Sequence, residues 1–165
     1  MKILVLSDSH SSLRFMRQCI QQIRPDAVIH LGDYYDDGQV IQEENPHLLF
    51  LQVPGNCDRY RAPVSAAEIL TVSVFGVRMY MTHGHRHYVK QTQSYLVADA
   101  RKAGAKIALY GHTHCAECRL EPDGLWIMNP GSCGGYGGSA GVIETENQEI
   151  LNCRIIRQDD LEEML

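Results

Sequence analysis

The sequence predicts an α/β domain in which two mixed sheets pack face to face with helices outside. Two patterns carry this expectation. Apolar strand-like runs alternate with helical periodicity over the first part of the chain, and hairpin patterns dominate the second. A third pattern, polar ligand-type residues placed just after the strands, says where the chemistry lies.

The apolar and β-branched runs are "KILVLS" (2–7), "AVIHLG" (27–32), "LLFLQV" (48–53), "RMYMTH" (78–83) and "KIALYG" (106–111), each short enough to be a buried strand. Between the first two, Leu13, Met16, Ile20 and Ile23 recur at helical spacing, and the preceding serines are placed to cap an amphipathic helix. A second helix is expected over 92–105, ending in a glycine region ahead of the 106–111 strand. Such alternation builds βαβ units with parallel strands. The second half reads differently. Strand pairs flank Phe75-Gly76, Pro122-Asp123-Gly124 and Glu146-Asn147-Gln148, and hairpins of this kind require antiparallel or mixed pairing.

With 165 residues, no internal repeat and no low-complexity linker, residues 1–165 are expected to form a single domain; the glycine-rich 129–141 stretch reads as a loop within it. Hydrophobic residues make up 44% and charged residues 21%, values that exclude disorder and fibrous architecture. The formal net charge is -5 without any basic block, so long nucleic acids and anionic membrane surfaces are not expected partners. No run has signal-peptide or membrane-span character, which gives a cytoplasmic expectation. The six cysteines are accordingly read as reduced, and the C-x-x-C of Cys115 and Cys118 as a chance spacing, since no second pair accompanies it. The C-terminal "QDDLEEML" reads as a solvated acidic tail.

Asp8 and His10 follow the first strand, Asp33 the second, and Asn56 and Asp58 the third. His83 ends the 78–83 strand, and His112 and His114 follow 106–111. Each alone would read as a turn residue, a cap or a hydrogen-bonded side chain. Five independent turns, however, do not need imidazoles and carboxylates together. Loops after parallel strands open on one crevice, so these side chains should converge there. Two aspartates, four histidines and one asparagine give seven oxygen and nitrogen donors, too many for one tetrahedral ion and suited to two ions sharing a carboxylate. No thiolate is needed, so manganese, iron, zinc and nickel all fit. Two divalent ions against two carboxylates leave the site positive, which suits an anionic phosphate.

The motifs D-S-H (8–10), G-D (32–33), G-N-C-D (55–58), T-H-G-H (82–85) and G-H-T-H (111–114) occur in that order. They closely resemble the calcineurin-like metallophosphoesterase superfamily, and within it the small bacterial and archaeal phosphodiesterase branch. The resemblance implies a four-layer α/β/β/α sandwich with two central mixed sheets and the metal site at the carboxyl ends of strands. It implies that Asp8, His10 and His114 hold one ion, that Asn56, His83 and His112 hold the other, and that Asp33 bridges them. The expected cofactors are two divalent ions with manganese first, iron, zinc or nickel also suiting the donor set. Gly111 is expected to let the backbone turn tightly so that His112 and His114 serve different ions.

One position departs from the superfamily. Its usual G-N-H-D or G-N-H-E motif carries a histidine that contacts phosphate and protonates the leaving group, and Cys57 stands there instead. His85 and His87 are candidates to supply the proton, and Asp58 to orient its neighbours. Asp33, Asn56, Cys57, Asp58 and His85 are therefore the expected catalytic group. His30 and His47 read as structural, and Tyr34, Asp36 and Asp37 as candidates to line the pocket. The activity expected is hydrolysis of small phosphodiesters by in-line attack of a metal-bridging hydroxide. A phosphomonoesterase acting on a small phosphate or nucleotide is the alternative within the same chemistry. A metal-binding scaffold for protein assembly, resembling a retromer subunit of the superfamily, is the alternative outside it. A small phosphoester is the expected partner, and homo-oligomerisation is compatible with the reading.

Overall fold

The computed structural model, which describes residues 1–135 and 137–162, turns every one of those apolar runs into a strand. The first sheet contains β1 (Lys2–Leu6), β2 (Ala27–His30), β3 (Leu49–Gln52), β9 (Ser139–Glu146) and β10 (Glu149–Arg157), in the order β10-β9-β1-β2-β3. The second contains β4 (Ile69–Val74), β5 (Val77–Thr82), β6 (Ile107–Leu109), β7 (Glu117–Leu120) and β8 (Trp126–Asn129), in the order β4-β5-β6-β8-β7. β1, β2 and β3 run parallel, as do β5, β6 and β8. The three hairpins β4-β5, β7-β8 and β9-β10 are antiparallel. Both sheets are thus mixed. The expected turn residues make the reversals, with Phe75, Gly76, Gly124, Asn147 and Gln148 at positive φ.

The layering follows from the alternation of side chains along each strand. Ile3 and Val5 of β1 face inward, where they meet Met79, Met81, Ile107 and Leu109 of the other sheet. Leu4 and Leu6 point outward and are covered by Phe15, Met16, Cys19 and Ile23 of α1 (Leu13–Ile23), and by Ile41 of α2 (Tyr35–Glu44). On the far face, Tyr80, Ala108 and Ile127 are covered by Leu96 and Ala100 of α3 (Ser94–Lys102). Three buried layers of contact therefore separate four layers of structure, α/β/β/α. Each fully buried aliphatic side chain contributes about 1.5–3 kcal/mol to holding them together.

Three details differ from the sequence reading. No serine side chain caps α1; the Ser9 hydroxyl is taken by Asp37 instead. The segment after Asp33 forms helix α2, whose interior Gly38 gives the backbone room beside Gln52. The acidic C-terminus is not wholly solvated, because Gln158–Glu162 forms a short helix, α4, with Leu161 fully buried on the α1 side of the first sheet. Residues 163–165 of that tail, and Tyr136 of the glycine-rich loop, lie outside the described residues. No helix among the described residues is long and apolar enough to cross a membrane.

Candidate metal centre

The parallel strands of both sheets end at the same edge of the sandwich, and the loops that leave them carry the polar residues singled out above. After β1, Asp8 and His10 adopt φ of 52° and 42°; after β2, Asp33 and Tyr34 adopt 57° and 70°; after β6, His112 and His114 adopt 68° and 59°. Left-handed backbone is unfavourable for these residue types by about 1–2 kcal/mol each, and persists only where the surroundings over-determine it. Such a concentration at one edge marks a site held in shape against local preference.

The bracing comes from long-range hydrogen bonds. The buried Asp58 carboxylate accepts four backbone N–H groups, from Asp33 (2.8 Å), Tyr34 (2.8 Å), Tyr35 (2.9 Å) and Gly55 (2.7 Å). Asp37, also buried, accepts from the Ser9 hydroxyl at 2.7 Å and the Ser11 amide at 2.8 Å, and so ties the β1 loop to α2. The buried Asn129 side chain, at the end of β8, donates to the Gly111 carbonyl (3.1 Å) and the Thr113 hydroxyl (2.9 Å) and accepts from the Gly131 amide. Ser132 donates to the Asp8 carbonyl at 2.8 Å. Asp37 was expected to line a pocket, yet it braces; Tyr34 packs edge-on against His10, and Asp36 pairs with Arg61 at 2.7 Å. Gly111 also works differently from the expectation. Its φ is not in the left-handed region, and what excludes a side chain is space: a Cβ would stand 2.1 Å from Ser7 Oγ and 2.8 Å from Asp8 Oδ2.

The donor atoms converge around Asp8 and His83, both fully buried. Asp8 Oδ2 accepts from Ser7 Oγ (2.6 Å) and the His112 amide (3.1 Å), whereas Oδ1 has no hydrogen-bond partner. That orphan oxygen lies 3.0 Å from His114 Nε2 and 3.9 Å from His83 Nε2. His83 Nδ1 donates to the Leu31 carbonyl at 2.7 Å, which leaves the Nε2 lone pair facing Asn56 Oδ1 (3.1 Å), Asp33 Oδ2 (3.5 Å) and Asp8 Oδ1. A bare imidazole nitrogen surrounded by oxygen acceptors is unfavourable unless a cation sits among them. Two groups have ligand atoms all within 4.8 Å of one another: Asp8, His10 and His114, and Asp8, Asp33 and His83. Asp8 belongs to both and Asp33 to one. His112 lies beside them with its ring 5.1 Å from that of His83, and His10 lies 5.4 Å from His114.

Ionisation favours ligand forms. Burial raises the Asp33 carboxyl, but the neighbouring His83 and the Cys57 amide outweigh it and hold its pKa below the usual value. Burial, with His83 and Lys90 nearby, lowers His112 to about 4, so its imidazole is neutral at pH 7. His85 is lowered as well, first by burial and then by His83; its ring lies 5.5 Å from that of His83. His87 is turned away into the second sheet's helix layer, bonded to Tyr80 at 2.9 Å and 3.3 Å from Asp99, and does not face the centre. Cys57 is exposed, its amide bonded to Asp33 Oδ1, and its thiol is pushed up by burial and by Asp33.

His30 is buried beneath this edge. With the Ser9 proton committed to Asp37, His30 Nε2 is the donor to Ser9 Oγ at 3.2 Å. Burial lowers its pKa from 6.5 to about 4. Between those values the unfolded chain holds a proton that the folded chain lacks. Stability is therefore expected to fall by about 3 kcal/mol as pH drops through that window, with no further His30 contribution below it. Urea unfolding across the window checks this, the His30→Gln chain showing a correspondingly shallower slope.

The fold and these donors define an α/β sandwich with a candidate metal centre at one edge. The chain belongs to the calcineurin-like phosphoesterase superfamily, whose sequence profile matches residues 1–148. It is 27% identical over 166 residues to the phosphodiesterase MJ0936 of Methanocaldococcus jannaschii, covering 90% of this chain and 96% of that one. Among solved structures it resembles a predicted phosphoesterase of Streptococcus pneumoniae TIGR4, with TM-score 0.75, 25% identity, and coverage of 96% of this chain and 90% of the other. It also shares its fold with Vps29 of Entamoeba histolytica in complex with zinc, with TM-score 0.72, 17% identity, and coverage of 95% and 98%. Family membership makes the chain a metallophosphoesterase. Ser7 and Ser9, which help set the shape of the centre, escaped the sequence reading, their only signal being the Ser-Asp-Ser triplet; Asp37 was read there for a different role.

Proposed function

We propose that the protein hydrolyses small phosphodiesters at a dinuclear centre, with manganese the first choice of metal. The observation that carries this is the His83 Nε2 lone pair facing Asn56 Oδ1, Asp33 Oδ2 and the orphan Asp8 Oδ1, an arrangement that a cation resolves. Asp8, His10 and His114 would hold one ion and Asn56, His83 and His112 the other. Asp33, influenced by both His83 and His10, would lie between them. When bound, such ions supply Lewis acidity, polarising the phosphoryl group and making water a nucleophile at neutral pH. The chain's own contribution is to keep the His112 imidazole neutral, to fix Asp33 through the Asp58-held turn, and to exclude a side chain at Gly111. The name of the archaeal relative, a phosphodiesterase, supports the diester class.

Protonation of the leaving group is the weak step. Cys57 keeps its proton but is a poor acid, and His85 is neutral at pH 7. Turnover should therefore depend steeply on the leaving group. An aryl phosphodiester is expected to be hydrolysed about 100-fold faster than an alkyl one, in line with the usual worth of general-acid catalysis. Equal rates would remove this account of Cys57, and a monoester preferred over either diester would replace the diesterase reading with a phosphomonoesterase.

A further inference from the structure

Cysteine joins the two sheets at one edge of the sandwich. Cys118 lies on β7, the outer strand of the second sheet, and Cys153 on β10, the outer strand of the first. Both belong to the inter-sheet core, Cys153 buried and Cys118 half-buried. The two thiols are close enough to influence each other's ionisation, and residues of β7 and β10 approach to within 8 Å between Cα atoms. A disulfide spans about 4.4–6.8 Å between Cα atoms, so closing one requires these two edge strands to draw together at Cys118 and Cys153. The other cysteines are differently placed: Cys19 and Cys133 are sealed in the layer under α1, and Cys57 and Cys115 are exposed.

We propose that Cys118 and Cys153 form a reversible disulfide across the sandwich when the protein meets hydrogen peroxide. Cys118 is the attacking thiol. The neighbouring Cys153 thiol holds its pKa below the usual thiol value although burial opposes this, while Cys118 and burial together keep the proton on Cys153. The Cys118 thiolate attacks one peroxide oxygen and the O–O bond breaks. The hydroxide that leaves takes up the proton lost by Cys118, giving water and a sulfenic acid. Cys153 Sγ then attacks the sulfenic sulfur, the S–O bond breaks, and the departing hydroxide removes the Cys153 proton as a second water. Two thiols lose two electrons and two protons, and the peroxide is reduced to two waters. A dithiol reductant reverses the linkage. Closing the loop between β7 and β10 constrains the unfolded chain, so the oxidised protein should melt roughly 5–15 °C higher than the reduced one.

The test uses the full chain treated with a pulse of hydrogen peroxide, followed by non-reducing mass spectrometry and thermal unfolding. A loss of about 2 Da is expected, reversed by dithiothreitol, with fragmentation placing the link between Cys118 and Cys153 and the rise in Tm accompanying it. The Cys118→Ser and Cys153→Ala chains should lose both signals, and Cys115→Ser should keep both. Cys118 is half-buried, so its serine variant remains informative even where Cys153→Ala fails to fold. Oxygen added to Cys118 without a cross-link, a link mapping to Cys115, or no change on treatment would each overturn the proposal.

Discussion

Replacing Asp33 by asparagine is expected to lower metal-dependent phosphoester turnover about 1000-fold while leaving the fold intact. The asparagine oxygen can still accept the Cys57 amide, which Asp33 Oδ1 does at 2.9 Å, so the turn keeps one of its ties. What is lost is the negative charge at Oδ2, which faces His83 Nε2 at 3.5 Å in the middle of the donor set. An amide there presents N–H groups where a cation would sit, and the loss corresponds to about 4 kcal/mol of transition-state stabilisation. The comparison is kcat/KM for an aryl phosphodiester at saturating Mn²⁺, with thermal unfolding of both chains alongside. Asp33→Asn retaining more than about a tenth of native turnover would remove Asp33 from the reacting centre.

The second large effect concerns stability. Asp58→Ala is expected to cost about 4 kcal/mol, because it strands the buried backbone donors of Asp33, Tyr34, Tyr35 and Gly55 at once. Two of those residues, Asp33 and Tyr34, also occupy left-handed backbone that the carboxylate helps to hold. For a chain of this size the loss corresponds to a fall in Tm of roughly 8–16 °C. Turnover should fall with it at temperatures where the variant is still folded, since Asp33 is no longer fixed. A variant as stable as the native chain in urea would show that the four amides find water instead.

The strands were legible because each is an unbroken apolar run with a turn residue behind it, and the hairpins because Phe75-Gly76 and Pro122-Asp123-Gly124 advertise their reversals. Helix α2 was not. Its buried residues are Asp37, Gly38 and Ile41, which gives no apolar stripe at helical spacing, and its interior glycine argues against a helix. The C-terminal helix was hidden in the same way, since a single buried leucine stands among acidic residues. At the metal centre, the candidate ligands could be read because they follow strands that share one carboxyl edge. Asp58 was legible as an orienting residue, but the bracing by Asp37 was not, since it holds Ser9 and Ser11, 28 and 26 positions away, and such contacts leave no local trace. Gly111 shows the same limit: the sequence suggests a tight turn there, and only the fold shows that Ser7 and Asp8 leave no room for a side chain.

Metal titration of the chelated protein tests the proposed site for two metal ions serving phosphoester hydrolysis. Mn²⁺ would be added in steps while bound metal per chain and aryl phosphodiester turnover are followed together. No turnover is expected in the chelated protein, with activity becoming maximal only as the second equivalent binds. Full turnover after exhaustive chelation, or a maximum reached and held at one equivalent, would contradict it.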